Sequence, residues 1–257
     1  MKISELFDVK GKIAIITGGS RGIGLMIARG YVENGMKVYI TSRKAAVCDA
    51  VAAELSKIGE CISIPGDMST DEGRKAFVEA FKSREDNLDI LVNNAGAAWG
   101  QPFDQYGGDG YDKVMNINVR GLFFLTRDLM PLLENGASKS NPARVINIGS
   151  IDGLRVSKME NFAYGPSKAA VHHMTKELAM HLGKRGVTVN AVAPGPFESK
   201  MTAAVLEHFK AQVEASCPLS RIGKPEDMAG IALFLASPCA SYLNGTVIPV
   251  DGGIHLA

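Results

Sequence analysis

The chain of 257 residues is poor in cysteine, and none of its four, Cys48, Cys61, Cys217 and Cys239, stands at C-x-x-C spacing from another. No histidine accompanies them at metal-ligand spacing, so they read as reduced thiols, which implies a cytoplasmic setting and no metal site. An excess of one charge is also missing. Lys+Arg 28 against Asp+Glu 27 leaves a net charge of +1, so neither a basic field for nucleic acid nor a solvating acidic tail is present. No apolar run approaches the length of a bilayer span, and the opening M-K-I-S-E-L-F-D has two acids and no apolar signal-peptide core. The chain therefore reads as neither exported nor membrane-embedded. With no linker, low-complexity tract or internal repeat, it reads as a single domain over 1–257.

The common dinucleotide fingerprint G-x-G-x-x-G is absent as well. In its place Lys12 to Gly24 spell K-I-A-I-I-T-G-G-S-R-G-I-G, a short apolar run that stops in a turn with Gly18, Gly22 and Gly24. An apolar run without alternation suits a strand buried on both faces, and so a parallel sheet covered by helices. Glycines after such a strand let backbone N–H groups, Ser20, Arg21 and Ile23 among them, and the positive end of the next helix approach a pyrophosphate. The same turn also suits a plain tight connection.

Apolar positions at helical spacing follow over 21–34 and stop at Asn34-Gly35. The alternation continues with a strand at 37–41, a helix at 44–58, a strand at 60–64, a helix at 70–83 and a strand at 88–92. Helices at 103–115 and 117–134, a strand at 144–148, a long helix at 163–184 and a strand at 187–192 come next. An irregular stretch runs from Pro194 to Ser220. A helix opened by Pro225-Glu226-Asp227 and a strand at 246–250 complete the chain. This alternation predicts an α/β fold, a single-domain Rossmann-type doubly wound parallel sheet with helices on both faces.

Ligands in such sheets sit at the carboxyl ends of the strands. The second strand ends in Thr41-Ser42-Arg43-Lys44, where an NAD site would place an acid for the ribose 2′-hydroxyl. Arg43 with Arg21, and Ser42 or Lys44 beside them, instead suit the 2′-phosphate of NADP. Asp67-Met68 and Asn94-Ala95-Gly96 close the next two strands. Ser150 follows the strand at 144–148. Tyr164 and Lys168 stand at i, i+4 on the long helix, so the ammonium is expected near the phenol oxygen, lowering its pKa toward useful proton transfer.

Taken together, Thr17-Gly18-x-x-x-Gly22-x-Gly24, Asn93-Asn94-Ala95-Gly96, Asn118, Ser150, Tyr164-x-x-x-Lys168 and Pro194-Gly195 resemble the short-chain dehydrogenase/reductase family along essentially the whole chain. The resemblance implies Asn118, Ser150, Tyr164 and Lys168 as catalytic residues, with Tyr164 the general acid, Ser150 the holder of the substrate oxygen and Asn118 the holder of a water that serves Lys168. It also implies that the adenine meets Asp67 and Met68, that Asn94 to Gly96 floor the cofactor, that Lys168 binds the nicotinamide ribose, and that Pro194, Gly195 and Thr202 flank the nicotinamide. Ser150 stands fourteen positions before Tyr164, one more than the commonest family spacing. That extra residue, with A-A-W-G, Y-G-P-S-K-A-A and I-P-V-D-G-G-I-H-L, is similar to the rhamnolipid-pathway 3-oxoacyl-acyl-carrier-protein reductase group.

Residues 196–213 place Phe197, Met201, Val205, Leu206 and Phe209 on one candidate apolar face of a substrate lid spanning about 195–220. Such a face near Trp99 and Leu154 suits an acyl chain, although helix packing explains the same residues. The expected activity is NADPH-dependent reduction of a 3-oxoacyl thioester, with acyl carrier protein as a candidate partner. A reductase of free ketones, sugars or steroids, and a non-catalytic NADPH sensor, remain open beside it. The family implies a homotetramer built on the helices at 117–134 and 163–184. His172 and His173, on the second of these, read as packing or interface residues.

Overall fold

The computed structural model describes residues 1–138, 140–157, 159–199 and 203–256, and of 203–206 the backbone alone. Seven strands form one parallel sheet: β1 (Ile13–Thr17), β2 (Lys37–Thr41), β3 (Cys61–Ser63), β4 (Ile90–Asn93), β5 (Ala143–Ile148), β6 (Val187–Pro194) and β7 (Val247–Val250), in the order β3-β2-β1-β4-β5-β6-β7. The order reverses at β1, so a crevice opens beyond the carboxyl ends of β1 and β4. Every residue of β5 and β6 is buried, as in central strands covered on both faces.

The period of two sorts each strand between two layers. Ala14, Ile16, Val38, Ile40, Val92 and Ile146 pack with α2 (Gly22–Glu33), α3 (Ala45–Leu55) and α9 (Pro225–Ala236). Ile15, Tyr39, Leu91 and Val145 face the other way, onto α4 (Asp71–Lys82), α6 (Leu122–Gly136) and α7 (Tyr164–Leu182). Across the second layer runs a buried polar chain. Asn93 Nδ2 donates to Thr126 Oγ1 and to Asn147 Oδ1, both at 3.0 Å, and Asn147 Nδ2 donates to Thr175 Oγ1 at 2.9 Å. It ties β4 and β5 to α6 and α7 with few polar groups unpaired, as a dry interior requires.

Three segments depart from the sequence expectations. The helix expected at 103–115 is a single 3₁₀ turn at Phe103–Gln105 followed by α5 (Gly108–Met115), because Gly107 and Gly108 favour a break. The helix expected from 117 begins instead as a π-helical turn, Asn116–Gly121, before α6. Gly121 is needed there: an added Cβ would lie 2.4 Å from the Met68 carbonyl oxygen. The stretch expected to be irregular contains α8 (Ala203–Ala215), broken at Phe209, whose φ of −128° is not helical. The flanking prolines Pro194, Pro196 and Pro218 suggested a loop, but the Ala, Leu, Glu, Lys and Gln between them are helix formers. Among the described residues no helix is long and apolar enough to cross a membrane.

Candidate active site

The glycine turn is built around two contacts that exclude side chains. Gly18 has φ +67° and Gly22 φ +54°, both left-handed, while a Cβ on Gly24 would come within 2.4 Å of both the Gly18 carbonyl oxygen and Asn94 Nδ2. Thr17 and Asn94 stitch this turn to the end of β4. Asn94 Nδ2 donates to the Thr17 carbonyl at 2.8 Å, and the Asn94 and Ala95 N–H groups both donate to Thr17 Oγ1 at 2.9 Å. Asn94 thus holds the floor of the crevice with its amide. The sequence pattern points to the residue but not to this role.

Gly96, Asn118 and Lys168 meet at the next strand end, where a Cβ on Gly96 would lie 3.1 Å from Asn118 Oδ1 and 3.7 Å from Lys168 Nζ. The π-helical turn presents Asn118 inward. Its amide is fully engaged: Oδ1 accepts from Ala97 N–H at 2.8 Å, and Nδ2 donates to the Ala97 carbonyl at 3.0 Å and to Ser167 Oγ at 2.9 Å.

Ser150 ends the β5 loop, where its Oγ accepts from Asp152 N–H at 3.1 Å. Tyr164 begins α7, with its phenol beside the Ser150 hydroxyl. Pro166 falls in the first turn, where a missing N–H breaks no helical bond. Burial pushes the Tyr164 phenol up to about 12; the Ser150 hydroxyl opposes the rise and the Asp152 carboxylate adds to it. The rise runs against the sequence expectation of a lowered phenol pKa. Lys168 Nζ donates to the Ile148 carbonyl at 2.7 Å and lies 5.6 Å from the centre of the Tyr164 ring. Burial brings that ammonium down to about 8. Loss of water is the largest cause of both shifts.

Around Tyr164 lie groups that the sequence did not single out. Asp152 is a largely buried carboxylate whose pKa rises through loss of solvent, against the pull of Arg155, Asn161 and Ser157. Phe162 packs edge-on to Phe103 and Tyr106, with centroids 5.3 and 5.7 Å away, and Tyr106 Oη donates to the Trp99 carbonyl at 3.0 Å. These aromatics sit in loops without periodicity, so no pattern marks them. Trp99 and Leu154 are exposed, at 39% and 44%. Of the candidate lid residues, Phe197 and Phe209 have described side chains. Phe197 is buried against Gly223, where a Cβ would lie 2.3 Å from its ring, whereas Phe209 is exposed. Thr202, Met201 and the side chains of Val205 and Leu206 lie outside the described residues.

Residues 18–255 match the family described as Enoyl-(Acyl carrier protein) reductase. The chain is 45% identical over 252 residues to the 3-oxoacyl-acyl-carrier-protein reductase of rhamnolipid biosynthesis from Pseudomonas aeruginosa, covering 97% of this chain and 98% of that one. It is 35% identical to the short-chain dehydrogenase/reductase PhomF of Diaporthe leptostromiformis, over 97% of this chain and 93% of that one. The chain is a short-chain dehydrogenase/reductase. The active-site complex of Pseudomonas aeruginosa RhlG with NADP superposes with a TM-score of 0.95, at 44% identity, over 98% of this chain and 99% of that one.

In this short-chain dehydrogenase/reductase the far end of the crevice is equipped for an anion. Ser42 Oγ, at the end of β2, is buried with no hydrogen-bond partner, a cost that a ligand oxygen would remove. Arg21 and Arg43 are exposed and enter no ion pair among the described residues. Ser20 is buried under the turn, and Ile23 half-buried in the first turn of α2. Asp67 is bent back, its Oδ1 accepting from Ser69 N–H at 2.9 Å and from Ser69 Oγ at 2.6 Å. The Met68 side chain is buried in the core, and its carbonyl accepts from Arg74 at 3.1 Å. Pro194 is buried at the end of β6, and Gly195 N–H donates to the Val250 carbonyl at 3.0 Å.

Proposed function

We propose that this chain is an NADPH-dependent oxidoreductase that reduces a ketone to a secondary alcohol, with a 3-oxoacyl thioester as substrate. The observation that carries the reading is the convergence of Ser150, Tyr164 and Lys168 on the loop after β5, one strand from the glycine turn. Ser150 Oγ would hold the carbonyl oxygen and Tyr164 would donate its proton to it. The Lys168 charge would stabilise the phenolate left behind. NADPH, when bound, supplies the hydride that goes to the carbonyl carbon, leaving NADP and the alcohol. Asn118 acts by position, bracing Ala97 and Ser167 around Gly96 and Lys168.

For the cofactor, Gly18, Ser20, Arg21, Gly22, Ile23 and Gly24 would cradle the pyrophosphate, and the free Ser42 hydroxyl with Arg21 and Arg43 would take the 2′-phosphate. Asp67 and the Met68 backbone would border the adenine, Asn94, Ala95 and Gly96 the floor, and Lys168, Pro194, Gly195 and Thr202 the nicotinamide riboside. NADP in the complex of the related Pseudomonas protein supports this assignment.

The thioester is favoured by the name of the rhamnolipid relative, which reduces a 3-oxoacyl group on acyl carrier protein, and by the aromatic and aliphatic rim of Trp99, Phe103, Leu154 and Phe162. A cytoplasmic homotetramer receiving its substrate on acyl carrier protein completes the proposal. Its test is kcat/KM for acetoacetyl thioester, crotonyl thioester and a panel of free ketones, sugars and steroids with NADPH. The 3-oxo thioester should lead by at least tenfold. A lead for the crotonyl compound would assign double-bond reduction, a lead for a free ketone the rival substrate class, and tight NADPH binding without turnover a sensor.

A further inference from the structure

His172 lies one helical turn beyond Lys168, so Tyr164, Lys168 and His172 form one i, i+4 row on α7 facing the loop after β5. The row holds that loop at two points. Lys168 Nζ donates to the Ile148 carbonyl at 2.7 Å, and the Ser150 backbone N–H donates to His172 Nε2 at 3.4 Å. The imidazole is 6% exposed and wedged between two glycines: a Cβ on Gly149 would stand 2.1 Å from Nε2, and one on Gly153 2.7 Å from Cε1. A buried imidazole is costly where an aliphatic side chain would fill the space, so its acceptor nitrogen needs a use.

We propose that His172 is a positioning residue for Ser150, its neutral ring accepting the Ser150 N–H and fixing the loop so that the Ser150 hydroxyl faces Tyr164. Accepting at Nε2 requires the neutral tautomer with its proton on Nδ1. Burial keeps the ring uncharged, bringing its pKa down to about 4, with the Gly153 backbone opposing and Lys168 and Lys176 adding to the fall. The nearest carboxylate on the loop, Asp152, is directed at Tyr164, Arg155 and Asn161.

This inference rests on the roles given to Ser150 and Tyr164 above. It is tested with His172→Met and His172→Gln, two unbranched replacements of which only the glutamine offers a strong acceptor. His172→Met should lower kcat for the ketone at least tenfold while the NADPH dissociation constant stays within twofold, and His172→Gln should recover most of the loss. In a Ser150→Ala background the methionine variant should cost nothing further. If both variants lower the melting temperature and leave kcat per folded enzyme unchanged, or if the effects of His172→Met and Ser150→Ala multiply, His172 only fills space. An undiminished kcat for Ser150→Ala alone would overturn the site reading itself, and this inference with it. Should His172→Met not fold, Gly149→Ala reads the same contact by pushing the ring off Ser150, with the same outcomes.

Discussion

The Lys168 ammonium donates at 2.7 Å to the carbonyl of Ile148, although Tyr164 stands one helical turn away on the same face of α7. Burial works against the charged form of each, raising the phenol and lowering the ammonium. The phenol, up at about 12, is protonated at neutrality, as a general acid for carbonyl reduction must be, and the ammonium is charged only below about 8. Reductive kcat/KM should therefore be level through neutrality and fall above about pH 8, as Lys168 loses the proton that stabilises the developing phenolate. Alcohol oxidation, which needs the phenolate, should rise with pH over the same range. Rate profiles in both directions check this, and Lys168→Met should lower the reductive plateau by about 10² or more.

Among the described residues, Ser42 Oγ has no hydrogen-bond partner and the exposed Arg43 enters no ion pair, both just past the end of β2. Arg43→Ala should weaken NADPH about tenfold to a hundredfold, the loss expected for one charge-assisted contact to phosphate, while NADH changes little. Fluorescence titration with the two dinucleotides measures the ratio. An equal loss for both would place Arg43 outside the 2′-phosphate site.

Gly24→Ala would set a methyl 2.4 Å from the Gly18 carbonyl oxygen and from Asn94 Nδ2. The first is backbone and cannot swing away, so the turn must open. Overpacking of this kind costs about 1–3 kcal/mol. Thermal unfolding should show the loss, and NADPH binding should fall with it.

His172 also makes stability depend on pH. Its folded-state pKa, near 4, lies below the ordinary histidine value of about 6.5, so between these limits the unfolded chain binds more protons. Its contribution should be fully present above about 6.5 and fall progressively as pH drops to about 4, by about 1–3 kcal/mol. The melting-temperature slope over that window should flatten in His172→Gln.

The strand–helix alternation is legible in the sequence because short strand-forming runs such as Ile13–Ile16 and Val187–Val192 are bounded by glycine and proline. The positions of Tyr164, Lys168 and Ser150 are legible for the same reason: each is pinned to the end of such an element. The bond from Lys168 to the Ile148 carbonyl is not, since helical spacing fixes which face a residue takes and leaves open what the neighbouring strand end offers it. The π-helical turn at Asn118 and the aromatic contacts of Phe162 depend on tertiary partners, Met68 and Phe103, far away in the chain. α8 was hidden by the prolines around it.

The most direct measurement is single-turnover reduction by Tyr164→Phe at saturating NADPH, alongside the dissociation constant of the cofactor. Removing the phenol oxygen should slow the chemical step by about 10² to 10⁴ and leave NADPH affinity within about twofold. A variant that reduces the 3-oxoacyl thioester at the parent rate would show that the proton comes from elsewhere.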